Sequence, residues 1–369
     1  MPRLNIMIKP ASGLCNMKCS YCFYADEIKN RTQASYGIMT MDTMETLIKK
    51  ALKFAEKECT FVFQGGEPTL AGMDYFLKFL ALEKRYNVNH VKIRHALQTN
   101  GYAINEAWCG FFAENNFLIG LSLDGIKATH DAFRKDTGGQ ETYLKILNTA
   151  ELFRRTNVTF NILTVVNGKT APKIGKIYDR YRQLGFEWQQ YIACLEPMGQ
   201  VQGKWEYSLL PKVYGQFLID LFERWEIDFE KGEQPYIRQF ENYIDILSSQ
   251  VPEACEQRGI CGIQTVIEAD GSVYPCDFYV MDEYRLGNIN ESDFRAFDER
   301  RRQIEFMERS YNHTETCMKC EYFFICRGGC NRHREQPGTV YGENYFCSSY
   351  KMFFDACLPK LQRIASGIR

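Results

Sequence analysis

Residues 15–22 read Cys-Asn-Met-Lys-Cys-Ser-Tyr-Cys, so Cys15, Cys19 and Cys22 lie close together near the start of the chain. A cubic iron–sulfur cluster has four iron corners and is usually held by four cysteine thiolates. Three clustered thiolates therefore predict a cluster in which one iron stays free to bind another ligand. The spacing alone leaves a zinc-binding loop open as the alternative.

The composition is typical of a soluble globular protein, and the 369 residues are enough for two or three domains. Lysine plus arginine (45) balances aspartate plus glutamate (46), so bulk charge predicts neither a nucleic-acid nor a membrane partner. The sequence shows no secretory signal and no apolar run of about 18 residues, which predicts a cytoplasmic protein. In that reducing compartment the 15 cysteines favour metal ligation over disulfides.

Short β-branched and aromatic segments alternate with amphipathic segments along the first two-thirds of the chain. This alternation predicts six strand–helix units in an α/β fold, either a partial (β/α)6 barrel or a doubly wound sheet. Polar and glycine-rich residues follow several strands, as they do at the active-site rim of a barrel, which favours the barrel. The predicted strands are Asn5–Lys9, Thr60–Phe63, Val91–Leu97, Leu118–Leu123, Thr159–Val165 and Trp188–Ala193. The predicted helices are a segment around Met44–Ala55 capped by Asp42, Tyr75–Tyr86, Glu106–Glu114, Tyr143–Arg155 and Pro172–Leu184.

The chain changes character after Leu195. A loop over 196–204 precedes two predicted helices, Lys212–Lys231 and Tyr236–Ser249. From Cys255 onward the chain is rich in cysteine and poor in long periodic segments, with a hairpin predicted between Thr265–Glu268 and Val273–Tyr274. We therefore predict a first domain over residues 1–235, and a helical connector with a cysteine-rich domain over residues 236–369.

The motif formed by Cys15, Cys19 and Cys22 resembles that of the radical S-adenosylmethionine (radical SAM) enzymes, and Gly65-Gly66-Glu67-Pro68 after the second strand resembles a second motif of that family. The resemblance implies a partial (β/α)6 TIM-like barrel in which the free iron binds S-adenosylmethionine. One electron then cleaves the sulfonium and releases a 5′-deoxyadenosyl radical. The residues that match cofactor-binding positions of the family are Tyr21, Gly66, Ser122, Arg134 and Leu195.

The cysteines near the C-terminus resemble the SPASM extension of radical SAM enzymes, while a zinc site at 317, 320, 326 and 330 fits their spacing almost as well. The resemblance implies two auxiliary clusters, and therefore three [4Fe-4S] clusters in all. One auxiliary cluster would be held by Cys255, Cys261, Cys276 and Cys330, and the other by Cys317, Cys320, Cys326 and Cys347. The remaining cysteines, Cys59, Cys109, Cys194 and Cys357, are predicted to be small buried hydrophobic residues.

Asp277 follows the predicted ligand Cys276 within the aromatic segment 274–279, where we expect it to be partly desolvated. On residue type alone it is equally a solvated turn aspartate. Nearly the whole chain, from Ile-Lys-Pro-Ala-Ser at 8–12 through Phe-Gln-Gly-Gly-Glu-Pro-Thr-Leu-Ala-Gly at 63–72 to Gly-Ser-Val-Tyr-Pro-Cys-Asp-Phe-Tyr at 271–279, resembles the anaerobic sulfatase-maturating enzymes. That resemblance implies that Asp277 accepts a proton. It also implies oxidation of a cysteine or serine in an unfolded sulfatase to Cα-formylglycine, with flavodoxin or ferredoxin as the reductant. Tyr24 and Gln64, at the same rim, are predicted to contact the substrate.

Two alternatives remain open at this point. A related enzyme on the same scaffold could form a thioether or carbon–carbon crosslink in a peptide. A non-enzymatic binding module stapled by zinc is the second alternative. The five histidines are scattered without ligand-like spacing, and each is predicted to have a structural role.

Overall fold

The computed structural model describes residues 4–335 and 342–367, in which strands and helices alternate. The strands are β1 (Leu4–Ile8), β2 (Glu58–Phe63), β3 (Lys92–Thr99), β4 (Phe117–Ser122), β5 (Phe160–Val166), β6 (Trp188–Ala193), β7 (Tyr236–Ile237), β8 (Thr265–Ile267), β9 (Ser272–Tyr274) and β10 (Gly287–Asn288). The helices are α1 (Phe23–Lys29), α2 (Met41–Phe54), α3 (Met73–Tyr86), α4 (Glu106–Glu114), α5 (Lys127–Phe133), α6 (Tyr143–Arg155), α7 (Ile174–Gln183), α8 (Pro211–Lys231), α9 (Arg238–Leu247), α10 (Cys255–Arg258), α11 (Phe294–Gln303), α12 (Glu308–Tyr311), α13 (Glu315–Met318), α14 (Phe323–Cys326) and α15 (Cys347–Gly367).

The six predicted strands are all present, and so is the predicted hairpin, which β8 and β9 form. One predicted helix cap is wrong. Helix α2 is capped by Thr40, whose side chain accepts a hydrogen bond from the backbone N–H of Thr43 at 3.2 Å. Asp42 instead lies in the first turn of α2, where its negative charge faces the positive end of the helix dipole.

The described residues pack into two units, and the first combines residues 4–122, 134–160 and 263–306. Its strands lie in the order β10-β9-β8-β1-β2-β3-β4. The strands β8, β1, β2, β3 and β4 are parallel, and β9 and β10 continue antiparallel. Phe63 packs edge-on against Phe76 and Phe79 in its core. Because β8 pairs with β1, the segment after β8 returns to the carboxyl end of β1, where the cysteine motif begins.

The second unit combines residues 123–133, 161–262 and 307–367. Strands β5, β6 and β7 are parallel, and the long helices α8 and α15 pack together. The prediction of one helix over Tyr236–Ser249 is wrong at its start, because Tyr236 and Ile237 pair with Trp188 and Gln189 of β6. The region after Cys255 consists mostly of short elements, as predicted, but it also contains α15, which has 21 residues. The boundary predicted at residue 235 stays a prediction.

No helix in residues 4–335 or 342–367 combines the length and the apolar character that crossing a membrane requires.

Candidate active site

The predicted cluster motif lies in the loop between β1 and α1. The backbone N–H of Lys18 donates to the carbonyl of Lys135 at 2.7 Å, and the side-chain amide of Asn100 donates to Cys15 Sγ at 3.7 Å. Burial raises the pKa of Cys15 to about 11 and also raises the pKa of Cys22. Cys15, Cys19 and Cys22 lie within one short loop, as three ligands of a single cluster require.

A buried arginine lies beside this loop. Arg134 directly follows α5, and its Nη1 is 3.9 Å from Cys19 Sγ. Its guanidinium carbon lies 5.4 Å from the centre of the Tyr21 ring, and the Thr142 hydroxyl donates to its backbone carbonyl at 2.9 Å. The structure therefore brings two predicted cofactor contacts, Tyr21 and Arg134, to the cysteine loop. A guanidinium here suits the carboxylate of S-adenosylmethionine, because its planar fork matches two oxygens.

The Gly-Gly-Glu turn after β2 supports the same loop. Gly66 has φ +54°, and a Cβ added to it would lie 2.2 Å from the carbonyl oxygen of Leu14. The next residue, Glu67, is fully buried; its backbone N–H donates to that same carbonyl at 2.8 Å. The Glu67 carboxylate accepts hydrogen bonds from the Thr99 hydroxyl at 2.9 Å and from the backbone N–H of Asn100 at 2.8 Å. This turn therefore joins the ends of β2 and β3 to the residue before Cys15.

We predict that Gly66→Ala lowers the iron content and the affinity for S-adenosylmethionine. The methyl group would collide with the Leu14 carbonyl and push the cysteine loop away, in addition to the roughly 1–2 kcal/mol that a left-handed backbone costs a residue with a Cβ. Iron analysis and equilibrium binding after anaerobic reconstitution measure both quantities. Gly37→Ala is the matched control, because Gly37 has φ +73° but no atom within 4 Å of the added Cβ. Equal losses in the two variants would contradict the prediction.

The predicted base is held by two side chains from the ends of neighbouring strands. Lys9 follows β1, and its Nζ donates to Asp277 Oδ1 at 2.5 Å. Gln64 follows β2, and its Nε2 donates to Asp277 Oδ2 at 2.5 Å. Asp277 is 6% exposed and Lys9 is fully buried. The structure thus joins two predicted site residues, Asp277 and Gln64, with a lysine that the sequence analysis did not single out.

Tyr24 lies on the other side of this lysine. Its ring centre is 4.0 Å from Lys9 Nζ, and its hydroxyl donates to Glu268 Oε2 at 2.5 Å. Arg31 Nη1 donates to the same carboxylate oxygen at 2.5 Å, and both side chains of that ion pair are fully buried. Burial raises the pKa of Tyr24 well above its usual value, so the phenol stays protonated and donates. Its contact with substrate stays a prediction.

We predict that Arg31→Met lowers the free energy of unfolding by about 3–5 kcal/mol, because it leaves the buried Glu268 carboxylate without its cation. Thermal unfolding of the reconstituted protein measures the loss. Arg85→Met removes a cation from the exposed pair between Arg85 and Glu45 and should change the midpoint little. A midpoint equally unaffected in both variants would show that the buried pair does not hold this part of the fold together.

Ser122 and Leu195 are the other predicted cofactor contacts whose positions the structure gives. Ser122 ends β4, and its hydroxyl accepts a hydrogen bond from Gln98 Nε2 at 3.0 Å. Leu195 is buried within the second unit, where the Cys194 thiol donates to its carbonyl. The contacts of Ser122 and Leu195 with cofactor stay predictions.

The second unit gathers most of the predicted auxiliary ligands into two groups. Burial raises the pKa of Cys326 to about 12 and that of Cys261 to about 11. Cys255, Cys261 and Cys330 lie close enough for their charges to interact, whereas Cys276 belongs to the first unit. The other group, which lines a small open pocket, contains Cys317, Cys320, Cys326 and Cys347. The four cysteines without a predicted ligand role are buried, as expected: Cys59, Cys109, Cys194 and Cys357.

Two family models match this chain, one around the first cysteine motif and one in the cysteine-rich region. Residues 10–180 match the model of the Radical SAM superfamily, and residues 260–321 match that of SPASM, an iron-sulfur cluster-binding domain. The chain is 44% identical to a cysteine-type anaerobic sulfatase-maturating enzyme of Clostridium perfringens, with all of both chains covered. It is 32% identical to a serine-type anaerobic sulfatase-maturating enzyme of Klebsiella aerogenes, covering 97% of this chain and 86% of that protein.

A solved structure extends the likeness to three dimensions. The native enzyme anSMEcpe with bound AdoMet and a Cp18Cys peptide superposes with a TM-score of 0.95 at 43% identity. The superposition covers all of both chains.

Proposed function

Because the chain belongs to the anaerobic sulfatase-maturating enzymes of the radical SAM superfamily, we propose that it oxidises a cysteine in a sulfatase polypeptide to Cα-formylglycine. Its fold is the predicted partial (β/α)6 barrel followed by a SPASM domain. Its cofactors are S-adenosylmethionine and three [4Fe-4S] clusters. We assign the first cluster to Cys15, Cys19 and Cys22, and the auxiliary clusters to the two sets of four cysteines named above.

The buried Asp277 carboxylate carries this proposal. Oxidation of a thiol carbon to an aldehyde requires a group that takes the thiol proton. Asp277 lies at the carboxyl ends of β1 and β2, the same ends at which the cysteine loop and the Gly-Gly-Glu turn begin. Its oxygens accept hydrogen bonds from Lys9 and Gln64 but retain further lone pairs, because a carboxylate offers about four acceptor positions. An incoming thiol can therefore donate to the carboxylate without displacing either side chain.

The proposed reaction removes two hydrogens from the target cysteine side chain and replaces its sulfur with oxygen. When bound, the first cluster and S-adenosylmethionine supply a radical that removes one hydrogen atom from Cβ of the target cysteine. Asp277 would take the thiol proton, and the second electron would pass to an auxiliary cluster held by the C-terminal cysteines, so that a carbon–sulfur double bond forms. Water then replaces the sulfur, which yields the aldehyde and hydrogen sulfide. Asp277 is only 6% exposed, so little bulk water reaches the carboxylate.

We propose a cysteine rather than a serine target, because identity is 44% to the cysteine-type relative and 32% to the serine-type relative. The polypeptide is taken up unfolded and extended, so that backbone hydrogen bonds provide affinity. Flavodoxin or ferredoxin is the proposed reductant. The cytoplasm is the proposed location, since its reducing conditions keep cluster thiols available.

The test is incubation of the reduced enzyme with S-adenosylmethionine and a Cys-x-Pro-x-Arg peptide under anaerobic conditions. The expected product has lost two hydrogens and exchanged sulfur for oxygen, and the matching Ser-x-Pro-x-Arg peptide should react more slowly. Mass spectrometry distinguishes this from a crosslink, which loses hydrogens without gaining oxygen. Cleavage of S-adenosylmethionine with an unmodified cysteine peptide would remove the proposed substrate.

A further inference from the structure

Lys9 is a fully buried lysine with a carboxylate on one side and an aromatic ring on the other. Its Nζ lies 2.5 Å from Asp277 Oδ1 and 4.0 Å from the centre of the Tyr24 ring. The backbone N–H of Lys9 also donates to the carbonyl of Ile267 in β8 at 2.8 Å. The lysine is therefore fixed at its backbone by β8 and at its ammonium by Asp277.

The backbone at Gly65 packs against a third side of the Lys9 side chain. Gly65 has φ +103°, and a Cβ added to it would lie 2.7 Å from Cγ and 2.9 Å from Nζ of Lys9. Tyr24 cannot easily move away, because its hydroxyl is bound to Glu268, which is paired with Arg31. The ammonium is therefore held by Asp277, the Tyr24 ring and the Gly65 backbone, and it holds Asp277 Oδ1 in turn.

We propose that Lys9 is a positioning residue that fixes the orientation of the Asp277 carboxylate for proton transfer from substrate. Lys9 holds Oδ1 and Gln64 holds Oδ2, so rotation of the carboxyl group breaks a hydrogen bond at each oxygen. A buried carboxylate without the ammonium would lack both its charge partner and one of its two anchors. Because proton transfer requires a heavy-atom separation of about 2.6–3.2 Å, loss of one anchor should slow it. This inference rests on the proposed function.

The experiment compares Lys9→Met, Lys9→Gln and the double variant Lys9→Met/Asp277→Asn after anaerobic reconstitution. Methionine keeps the length of the side chain without a donor, and glutamine keeps an N–H donor without the charge. Each variant is assayed for formylglycine product, for 5′-deoxyadenosine and for KM toward the cysteine peptide. Lys50→Met is the matched control, because the Lys50 ammonium binds the backbone carbonyls of Ile289 and Ser292.

Lys9→Met should lower kcat for product by about 10²-fold, the effect of a catalytic group displaced by about 1 Å, with KM little changed. The ratio of 5′-deoxyadenosine to product should rise, Lys9→Gln should lie between wild type and Lys9→Met, and Lys50→Met should match wild type. In the Asp277→Asn background, Lys9→Met should have no further effect on product, because the group it orients is already gone.

Two outcomes would overturn the inference: an unchanged ratio of 5′-deoxyadenosine to product in Lys9→Met, or an equal further loss of product in the Asp277→Asn background. The double variant keeps the test valid if Lys9→Met alone folds poorly, since it removes both buried charges together. Failure of the wild-type protein to form formylglycine would instead refute the proposed function. The two failures are therefore distinguishable.

Discussion

Asp277→Asn is expected to lower the rate of formylglycine formation by about 10²–10⁴-fold, the contribution of one positioned proton-transfer group. Asparagine has the shape of aspartate but cannot take a proton from the substrate thiol. Lys9 and Gln64 both donate hydrogen bonds to the present carboxylate, and the amide offers only one oxygen, so one of the two donors would face an NH2 group. The rate is measured as peptide product per enzyme, with 5′-deoxyadenosine measured in the same samples.

Asp282→Asn is the matched control for this variant. Asp282 is an acid in the next turn of the same segment, and it accepts a hydrogen bond from the backbone N–H of Thr32 at 2.8 Å, away from Lys9 and Gln64. Product formation should be unchanged in Asp282→Asn. If Asp277→Asn lost 5′-deoxyadenosine and product equally, Asp277 would serve the cofactor site or the fold rather than proton transfer.

Replacement of Cys15, Cys19 and Cys22 together by alanine is expected to abolish cleavage of S-adenosylmethionine. Three four-iron clusters contain about twelve irons, and loss of the first cluster should leave about eight. The remaining iron should persist because the auxiliary ligands lie elsewhere in the chain, in residues 255–347. Iron and sulfide analysis after anaerobic reconstitution measures the count, and chromatography of 5′-deoxyadenosine measures the cleavage.

Cys59→Ala and Cys357→Ala are the controls, since both side chains are buried and neither has a predicted ligand role. Each should keep about twelve irons. A triple variant that still held about twelve irons would show that these three thiols do not bind a cluster. A count that fell to zero would show that the auxiliary clusters depend on the first one for assembly.

Most of the strand–helix order could be predicted because it depends on local patterns. The strands at Thr60–Phe63 and Trp188–Ala193 are short apolar or β-branched runs, and the structure contains both. The start of α9 could not be predicted, because Tyr236 and Ile237 continue an acceptable helical pattern until they pair with β6. Pairing with a distant strand is a tertiary interaction, which a local pattern does not record.

The residues of the candidate site could also be predicted only in part from the sequence. The cysteines and Asp277 could be proposed from the sequence because their spacing and surroundings resemble known motifs. The sequence places Lys9 at the end of the predicted strand Asn5–Lys9, where a lysine is usually exposed, and assigns it no role of its own. Its burial depends on Asp277, 268 positions later in the chain. A lysine at the end of a buried strand, directly before proline, is the one local signal that could have drawn attention to it.

The pairing of β8 with β1 has a consequence for biosynthesis. The ribosome releases β1 long before β8, so the nascent chain carries an open sheet edge beside the cysteine motif until residues 263–306 emerge. A polypeptide stopped at residue 235 would keep that edge open permanently and should aggregate. Asp277, which follows β9, can reach Lys9 and Gln64 only after about three-quarters of the chain has been made.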